Sequence, residues 1–243
     1  MSTLVLMPGL DGTGDLFRPL LDVIPTRYAT RVVTYSADRF IAYADLLDVV
    51  EQQLGDEDEV VLVAESFSGP LAVRYAAAHP RRVAAVVLCA SFVRPPFWGW
   101  LRWFLVPALF RAPPPGVVIR RLMVGRDGPD SLVRAVQAAV TRVSPEVIAE
   151  RLKEVAGVDC AAALRDIRAP VLYLAATRDA LVGNPAVEAV RAARPDVRVR
   201  RIDGPHLILQ RAPAEAWREI QTFLDDVAAE AAAGSSAKTG RRS

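Results

Sequence analysis

The segment VVLVAESFSGPLAVRYAAAH, residues 60–79, changes from one kind of secondary structure to another within a few residues. Its first four residues, 60–63, form an apolar and mostly β-branched run, which is typical of a buried strand. Its second half is rich in alanine and carries Pro70, which suits the first turn of a helix because that turn tolerates a missing N–H. The segment therefore predicts a strand that turns sharply at Ser66 into a helix over about 67–78.

The rest of the chain repeats this change from strand to helix. Further apolar runs of strand length are found at residues 3–7, 31–35, 83–89, 171–175 and 197–202. Helical patterns lie between them, near residues 14–24, 40–54, 184–194 and 212–232. Regular alternation of this kind predicts an α/β fold with a mostly parallel sheet of about six strands and helices on both faces.

One long segment, residues 92–164, interrupts the alternation and carries no convincing strand. Its helical patterns are near 117–124, 129–141 and 145–156. We expect a helical cap that is inserted between the core segments 1–91 and 165–233, over the carboxyl ends of the strands, where open α/β sheets bind their ligands. The last ten residues, 234–243, lose the helical pattern and are expected to form a disordered tail.

Length and composition narrow the class of protein. The 243 residues suit a single α/β domain with an insertion, and 52% of them are hydrophobic, which is enough for a large core. A net charge of +2 does not favour a nucleic-acid partner. Two cysteines indicate neither a disulfide framework nor a zinc site. No signal peptide or membrane span is expected, which favours a cytoplasmic location; the oligomeric state is not predicted.

Ser66 stands at the corner between strand and helix. A nucleophile on such a corner projects its Oγ away from the backbone, close to the next N–H and to the positive end of the helix. Tight packing there requires small residues two positions before and after, and Ala64 and Ser68 are both small. The corner predicts a nucleophile elbow, with an ordinary serine N-cap as the alternative. Ser68 fits less well as the nucleophile, because Pro70 would then fall inside the corner.

A serine nucleophile needs a base, and the chain has two histidines. His79 ends the helix after the elbow and is expected at the surface, far from Ser66. His206 follows the last predicted strand, at the same carboxyl edge as Ser66. Asp179 follows the penultimate strand at that edge and can orient His206, with Asp203 as the alternative carboxylate. Each residue alone also fits a turn, a cap or an ion pair, but their meeting at one edge favours a catalytic triad.

The loop after the first strand, MPGLDGTG at residues 7–14, is rich in glycine and precedes a helix. It lacks the Lys-Ser/Thr pair of a P-loop, and its glycine spacing does not match a dinucleotide fingerprint. Acyl transfer requires hydrogen-bond donors for a developing oxyanion. We therefore expect the backbone N–H groups of Leu10, in this loop, and Phe67, after the nucleophile, to form an oxyanion hole.

These residues resemble the α/β-hydrolase superfamily over about residues 3–226, from the oxyanion loop through the elbow and cap to the acid and histidine loops. The chain is most similar to small bacterial carboxylesterases such as the pimeloyl-carrier-protein methyl ester esterases. PGLDGTG together with ESFSG also resembles plastid phytyl ester synthases, which move acyl groups. Two positions depart from the family pattern: Pro8-Gly9 replaces His-Gly in the oxyanion loop, and Glu65 precedes the nucleophile, where it either disfavours anionic substrates or holds the elbow through a salt bridge.

The interpretation that follows is a serine hydrolase that cleaves carboxylic esters or thioesters without a metal or a cofactor. Ser66 attacks the acyl carbon, His206 moves the proton, and Asp179 orients the imidazole. Its partner is a small-molecule acyl ester or thioester. The same triad is compatible with acyl transfer, C–C bond hydrolysis or cofactor-free haloperoxidase chemistry, and a non-catalytic ligand-binding protein is the alternative of another class.

The cap carries a stripe of aromatic side chains in the segment FWGWLRWF, residues 97–104. We expect Trp98, Trp100, Trp103 and Phe104 to line an apolar acyl pocket above the triad, because a protein in water normally covers or uses such a surface. Arginines are interleaved with these residues, so contact with a membrane surface is the second interpretation.

Overall fold

The computed structural model describes residues 2–96 and 99–239, and the fold is an α/β sandwich around one parallel sheet. The sheet has six strands in the order β2-β1-β3-β4-β5-β6, and every neighbouring pair is parallel. The strands are β1 (Thr3–Met7), β2 (Thr30–Val32), β3 (Val60–Glu65), β4 (Val83–Cys89), β5 (Val171–Ala176) and β6 (Arg198–Ile202). The predicted parallel sheet of about six strands is confirmed.

Alternate residues of the central strands enter two separate cores. In β1, Val5 and Met7 belong to the larger cluster on one face, whereas Leu4 and Leu6 belong to the cluster on the other face. A strand directs successive side chains to opposite faces, so a strand covered on both sides must be apolar throughout. This is why these strands appear in the sequence as continuous apolar runs.

Helices cover both faces of the sheet, as predicted. Those of the core are α1 (Arg18–Leu21), α2 (Tyr43–Leu54), α3 (Gly69–Ala78), α7 (Ala161–Asp166), α8 (Gly183–Ala193), α9 (Ile208–Arg211) and α10 (Pro213–Thr239). The second strand is shorter than predicted and begins one residue earlier. It ends at Val32, and by Tyr35 the chain has turned to the glycine-rich loop, where the Tyr35 N–H donates to the Gly12 carbonyl at 2.8 Å.

The cap consists of helices, and no strand occurs in the part of 92–164 that the structure describes. It contains two 3₁₀ helices (Gly99–Phe104 and Pro107–Phe110), α4 (Gly116–Ile119) continued by a π-helical turn (Arg120–Val124), α5 (Asp130–Thr141) and α6 (Pro145–Gly157). Buried residues of α4 and α5 pack on Leu207, next to the predicted catalytic histidine. The helix α7 packs instead against α3 and α8, so its first residues, 161–164, lie with the core rather than with the predicted cap.

The predicted tail at 234–243 is wrong in its first part. Helix α10 continues to Thr239, and residues 240–243 lie outside the described residues. The stretch 231–239 contains no proline and has four alanines, the residue with the highest helix propensity, so the helix continues through the less favourable Gly234. Over the described residues, no helix is both long enough and apolar enough to cross a lipid bilayer.

Candidate active site

The corner after β3 has the geometry of a strained elbow. Ser66 has a φ of 47°, in the left-handed region that non-glycine residues rarely adopt. The helix α3 that follows can pack closely because residue 69 is glycine. A Cβ placed on Gly69 would lie 1.7 Å from the Oγ of Ser91, and that Oγ donates to the Ser66 carbonyl at 2.7 Å. Ser91 thus holds the backbone of the corner, and only glycine leaves room for it.

The two serines of the elbow have different surroundings. Ser68 is fully buried, and its hydroxyl hydrogen-bonds to Tyr35 Oη at 2.7 Å and to the carbonyl of Pro8. Its hydroxyl therefore ties α3 to the loop after β1. Ser66 is partly exposed and borders a cavity. The geometry favours Ser66 as the nucleophile, in agreement with the frame chosen from the sequence.

Ser66, His206 and Asp179 form one chain of hydrogen bonds. The Oγ of Ser66 lies 3.0 Å from Nε2 of His206, and Nδ1 of His206 lies 2.9 Å from Oδ2 of Asp179. The three residues follow β3, β6 and β5, whose carboxyl ends meet at one edge of the parallel sheet. The side chains of His206 and Asp179 are almost completely buried. The arrangement has the order and the distances that a Ser–His–Asp triad requires.

The carboxylate of Asp179 is held in its charged form. Burial acts to raise its pKa, but the hydrogen bond and the charge of His206 outweigh burial and leave the pKa below its usual value. Its Oδ1 also accepts the N–H groups of Leu181 and Val182 at 2.8 and 3.0 Å. The alternative acid, Asp203, points elsewhere and pairs with Arg178 at 2.6 Å. The geometry therefore favours Asp179 over Asp203 as the candidate acid.

The second histidine lies outside this arrangement. His79 caps the end of α3, where its ring stacks on Tyr75 with 4.2 Å between ring centroids. The helix between it and Ser66 places it at the opposite edge of the sheet. The sequence expectation of a histidine remote from Ser66 agrees with this position.

The loop after β1 reaches the same edge of the sheet as the elbow. Leu10, from this loop, and Phe67, after the nucleophile, both line the cavity that contains Ser66 and His206. The loop turns tightly, since Gly12 and Gly14 have φ of 70° and 77°, and the N–H of Gly12 donates to the carbonyl of Gly9 at 3.1 Å. The position fits an oxyanion loop, and the donor role of the Leu10 and Phe67 N–H groups stays a prediction.

Arg151, a buried arginine of the cap, holds this loop and was not predicted from the sequence. Its guanidinium donates to the carbonyls of Leu10, Asp11 and Ser36 at 2.7, 3.0 and 2.9 Å. A buried cation stabilises a loop strongly when its donors are satisfied in this way. The signal in the sequence was an arginine on the apolar stripe of α6, three residues after Ile148 and next to Leu152.

The carboxyl group of Glu65 is buried beside the triad. Its Oε2 accepts a hydrogen bond from Gln210 Nε2 at 3.2 Å, and its Oε1 is buried without a partner among the described residues. Burial raises its pKa to about 7, against the lowering effect of His206 and of the Gln210 hydrogen bond. No described cation pairs with Glu65, so the salt bridge considered from the sequence is wrong. Glu65 lies in the cavity wall, and the expectation that it disfavours anionic substrates stays a prediction.

We expect the replacement of Glu65 by glutamine to change how stability depends on pH. A carboxyl whose pKa rises from 4.5 to about 7 on folding binds its proton more tightly in the native state. Stability from this group is complete below about pH 4.5 and is lost as pH rises through about 7. The free energy of unfolding of Glu65→Gln minus that of wild type should therefore rise by about 2–3 kcal/mol from about pH 5 to about pH 8. Urea unfolding at both pH values measures this.

The exposed Glu188 on α8 provides the matched control. Glu188→Gln removes a carboxylate without changing the interior, so its stability difference from wild type should stay constant over the same pH range. A constant difference for Glu65→Gln as well would contradict the buried, protonatable state of Glu65.

Ser66 and His206 border an apolar cavity of about 270 Å³ under the cap. Its walls are mainly aliphatic side chains from α5 and α6, together with residues of the connecting loops. Those from the cap include Pro96, Phe110, Pro114, Met123, Val136, Val140, Ile148, Leu152 and Val155. A concave, mostly apolar site with a few polar groups at its base is the usual form of a small-molecule site.

The prediction that the cap aromatics line this cavity is wrong for three of the four residues. Trp100, Trp103 and Phe104 are 55%, 73% and 63% exposed, and none of them borders the cavity. Trp98 lies outside the described residues. The 3₁₀ helix Gly99–Phe104 packs against α6, whose inner side provides the aliphatic wall, so aromatic residues on this 3₁₀ helix face outward.

A parallel sheet with an elbow at its carboxyl edge, covered by a helical cap, defines the α/β-hydrolase fold. The sequence profile of the alpha/beta hydrolase family matches residues 4–220. The chain belongs to this family, and it is therefore an enzyme of the hydrolase class. The predicted superfamily is confirmed, and the resemblance to pimeloyl-carrier-protein methyl ester esterases stays a prediction.

Solved structures support the same fold. A thermophilic esterase from Thermogutta terrifontis is similar with a TM-score of 0.77 and 20% identity, over 93% of this chain and 90% of its own. An esterase from Rhodococcus aligns with a TM-score of 0.75 and 18% identity, over 93% and 91%. An enol-lactonase from Burkholderia xenovorans aligns with a TM-score of 0.73 and 16% identity, over 94% and 91%. No curated protein is significantly similar in sequence.

Proposed function

We propose that this protein is a serine hydrolase that cleaves carboxylic esters or thioesters of an apolar acyl group through a covalent acyl-enzyme. The observation that carries the proposal is the continuous hydrogen-bond chain from Asp179 through His206 to Ser66, which ends in the wall of an apolar cavity. Three proteins that share this fold are named as two esterases and a lactonase, and these names denote the cleavage of ester bonds. This agrees with the proposed class.

The mechanism begins with proton transfer to His206. Its Nε2 accepts the proton of the Ser66 hydroxyl while Oγ attacks the acyl carbon, and the carbonyl π bond breaks to place a negative charge on the acyl oxygen. The proposed donors for that oxygen are the N–H groups of Leu10 and Phe67. The intermediate then collapses, the bond to the leaving group breaks, and the imidazolium returns its proton to the leaving alcohol or thiol.

Water completes the cycle by the same route. His206 takes a proton from water, the hydroxide attacks the acyl-enzyme, and collapse of the second intermediate returns a proton to Ser66 Oγ as the carboxylic acid leaves. In both halves the ring carries a positive charge in a buried site, where an unpaired charge would be costly. Asp179 offsets this cost, since its own charge is maintained by the His206 contact and by two backbone donors.

The cavity indicates the substrate class. Its aliphatic walls suit the acyl chain, and the leaving group must point toward solvent past the rim, where Leu181 is both exposed and part of the cavity wall. Above its raised pKa of about 7, the buried carboxyl of Glu65 beside the nucleophile is charged and disfavours an acyl chain with a negative charge close to the carbonyl, since two carboxylates would share a desolvated site.

We expect kcat/KM for p-nitrophenyl esters to rise with acyl length from acetate to at least hexanoate. Each buried methylene contributes about 0.8 kcal/mol, which corresponds to about three- to fourfold per carbon until the cavity is full. Initial rates on the series measure the profile. A flat or falling profile from acetate onward would contradict the acyl cavity.

Two variants locate the acyl site. Val140→Phe enlarges a residue of the cavity wall and should move the optimum to shorter chains while acetate is still hydrolysed. Trp103→Ala removes an exposed ring outside the cavity and is the matched control, which should retain the wild-type profile. A shift in the optimum for Trp103→Ala alone would place the acyl chain on the outer side of the cap.

A further inference from the structure

The cap exposes most of the large apolar side chains that the described surface carries. Seven of the eight such residues belong to the segment 100–118, and the eighth, Leu181, lies on the loop after β5. They are Trp100, Trp103, Phe104, Val106, Leu109, Val117, Val118 and Leu181. We call these eight residues the cap surface. Scattered exposed apolar residues are normal, but this concentration in one segment is typical of a contact site.

The cap surface meets the cavity at Leu181. Pro96, Phe110 and Pro114 of the same stretch of chain line the cavity from inside, and Leu181 belongs to both the cavity wall and the cap surface. A partner that covers the cap surface, including Leu181, therefore lies at the rim of the cavity.

The charge of this segment has a single sign. Residues 91–126 contain six arginines and neither aspartate nor glutamate. Arg111 and Arg121 are exposed beside the apolar residues, and Arg121 lies three and four positions after Val118 and Val117, on the same side of the helical segment. Two other arginines of the segment form ion pairs with aspartates outside it: Arg94 with Asp159 at 3.3 Å, and Arg120 with Asp130.

The acidic residues that border this surface are engaged within the protein. Glu150 and Glu154 of α6 lie in the groove beside Trp103 and Val106. Glu150 accepts a hydrogen bond from Lys153 at 2.7 Å, and Glu154 accepts the N–H of Tyr43 at 3.0 Å. Lys153 thus neutralises Glu150, whereas Glu154 keeps its negative charge, so this border carries one negative charge against the two exposed arginines.

We propose that the cap surface docks on an anionic lipid bilayer, which brings the rim of the cavity at Leu181 to the membrane interface. Tryptophan, phenylalanine and leucine side chains next to arginines are the composition that inserts at the boundary between head groups and acyl chains. A second copy of the chain fits less well, because a two-fold contact would place the arginines of both copies face to face. The docking does not depend on ester hydrolysis, so it can be tested without turnover.

The test is co-sedimentation of the Ser66→Ala protein with vesicles, since this variant keeps the cap surface and does not consume lipid. Vesicles of phosphatidylcholine alone are compared with vesicles that also contain phosphatidylglycerol. We expect the partition coefficient to be at least about tenfold higher with phosphatidylglycerol and to fall as salt is added, because each arginine near an anionic surface contributes about a factor of five. A blue shift of tryptophan emission should accompany binding.

Two double variants separate the apolar and the charged contributions. Trp103→Ser with Leu109→Ser, and Arg111→Glu with Arg121→Glu, should each lower the partition coefficient on anionic vesicles by about tenfold or more. Arg191→Glu, near the end of α8 and so at the opposite edge of the sheet, should leave binding unchanged. Circular dichroism and the thermal midpoint verify that each variant is folded, independently of activity.

Several outcomes would overturn the proposal. They are equal binding to both kinds of vesicle, absence of binding to either, or loss of binding in Arg191→Glu as in the cap variants. A concentration-dependent dimer that Trp103→Ser with Leu109→Ser converts to monomer would assign the cap surface to a second copy instead. Absence of ester hydrolysis in the wild type, with vesicle binding intact, would overturn the proposed function and leave the docking standing.

Discussion

Replacement of Ser66 by alanine is expected to lower kcat by about 10⁴–10⁶-fold while the protein stays folded, because loss of a triad nucleophile removes the covalent route. The expected retention of the fold also has a structural reason. Ser66 is only partly buried, and its hydroxyl hydrogen-bonds to His206, so removal of the oxygen costs little packing. Steady-state rates on the preferred p-nitrophenyl ester and the thermal midpoint are the two measurements.

A fluorophosphonate probe tests the same assignment chemically. The probe should label the wild type on the peptide that contains residue 66 and should leave Ser66→Ala unlabelled. Ser68→Ala is the matched control: it removes hydrogen bonds to Tyr35 and Pro8 and should cost stability, but labelling at Ser66 should persist. A label on Ser68, or no label on the wild-type protein, would refute Ser66 as the nucleophile.

Asp179→Asn is expected to lower kcat by about 10⁴-fold without unfolding the chain. The amide oxygen can still accept the N–H groups of Leu181 and Val182, which directs the amide NH₂ toward Nδ1 of His206. Nδ1 must then accept, so the ring proton moves to Nε2, the atom that faces Ser66. A protonated Nε2 cannot take the serine proton, so the loss arises from the wrong tautomer.

The exposed Asp203 is the control for this substitution. Asp203→Asn weakens contacts with Thr177 and Arg178 and should retain turnover within a few-fold of wild type. Near-normal rates for Asp179→Asn would refute Asp179 as the catalytic acid, and a large loss in Asp203→Asn alone would place the acid at Asp203.

The sequence by itself determined the sheet, the elbow position and the order of the three candidate catalytic residues. Strands covered on both faces must be apolar throughout, so 3–7, 60–63 and 83–89 were recognisable without any tertiary information. In a parallel sheet the carboxyl ends of the strands share one edge. Residues that follow β3, β5 and β6 therefore had to lie near one another, and this is why Ser66, Asp179 and His206 could be named together.

Only the tertiary structure decided what lies around that edge. Whether an aromatic residue in a short 3₁₀ helix faces the cavity or the solvent depends on how that helix packs on α6. The spacing of apolar residues in 97–104 does not indicate which side faces the cavity. The partners of Glu65 and Arg151 lie far away in sequence, at Gln210 and in the loop after β1. A buried ionisable group shows in the sequence only as a polar residue among apolar ones. Folding decides its surroundings: Arg151 keeps its charge beside three carbonyls, whereas Glu65 has one hydrogen bond and burial raises its pKa.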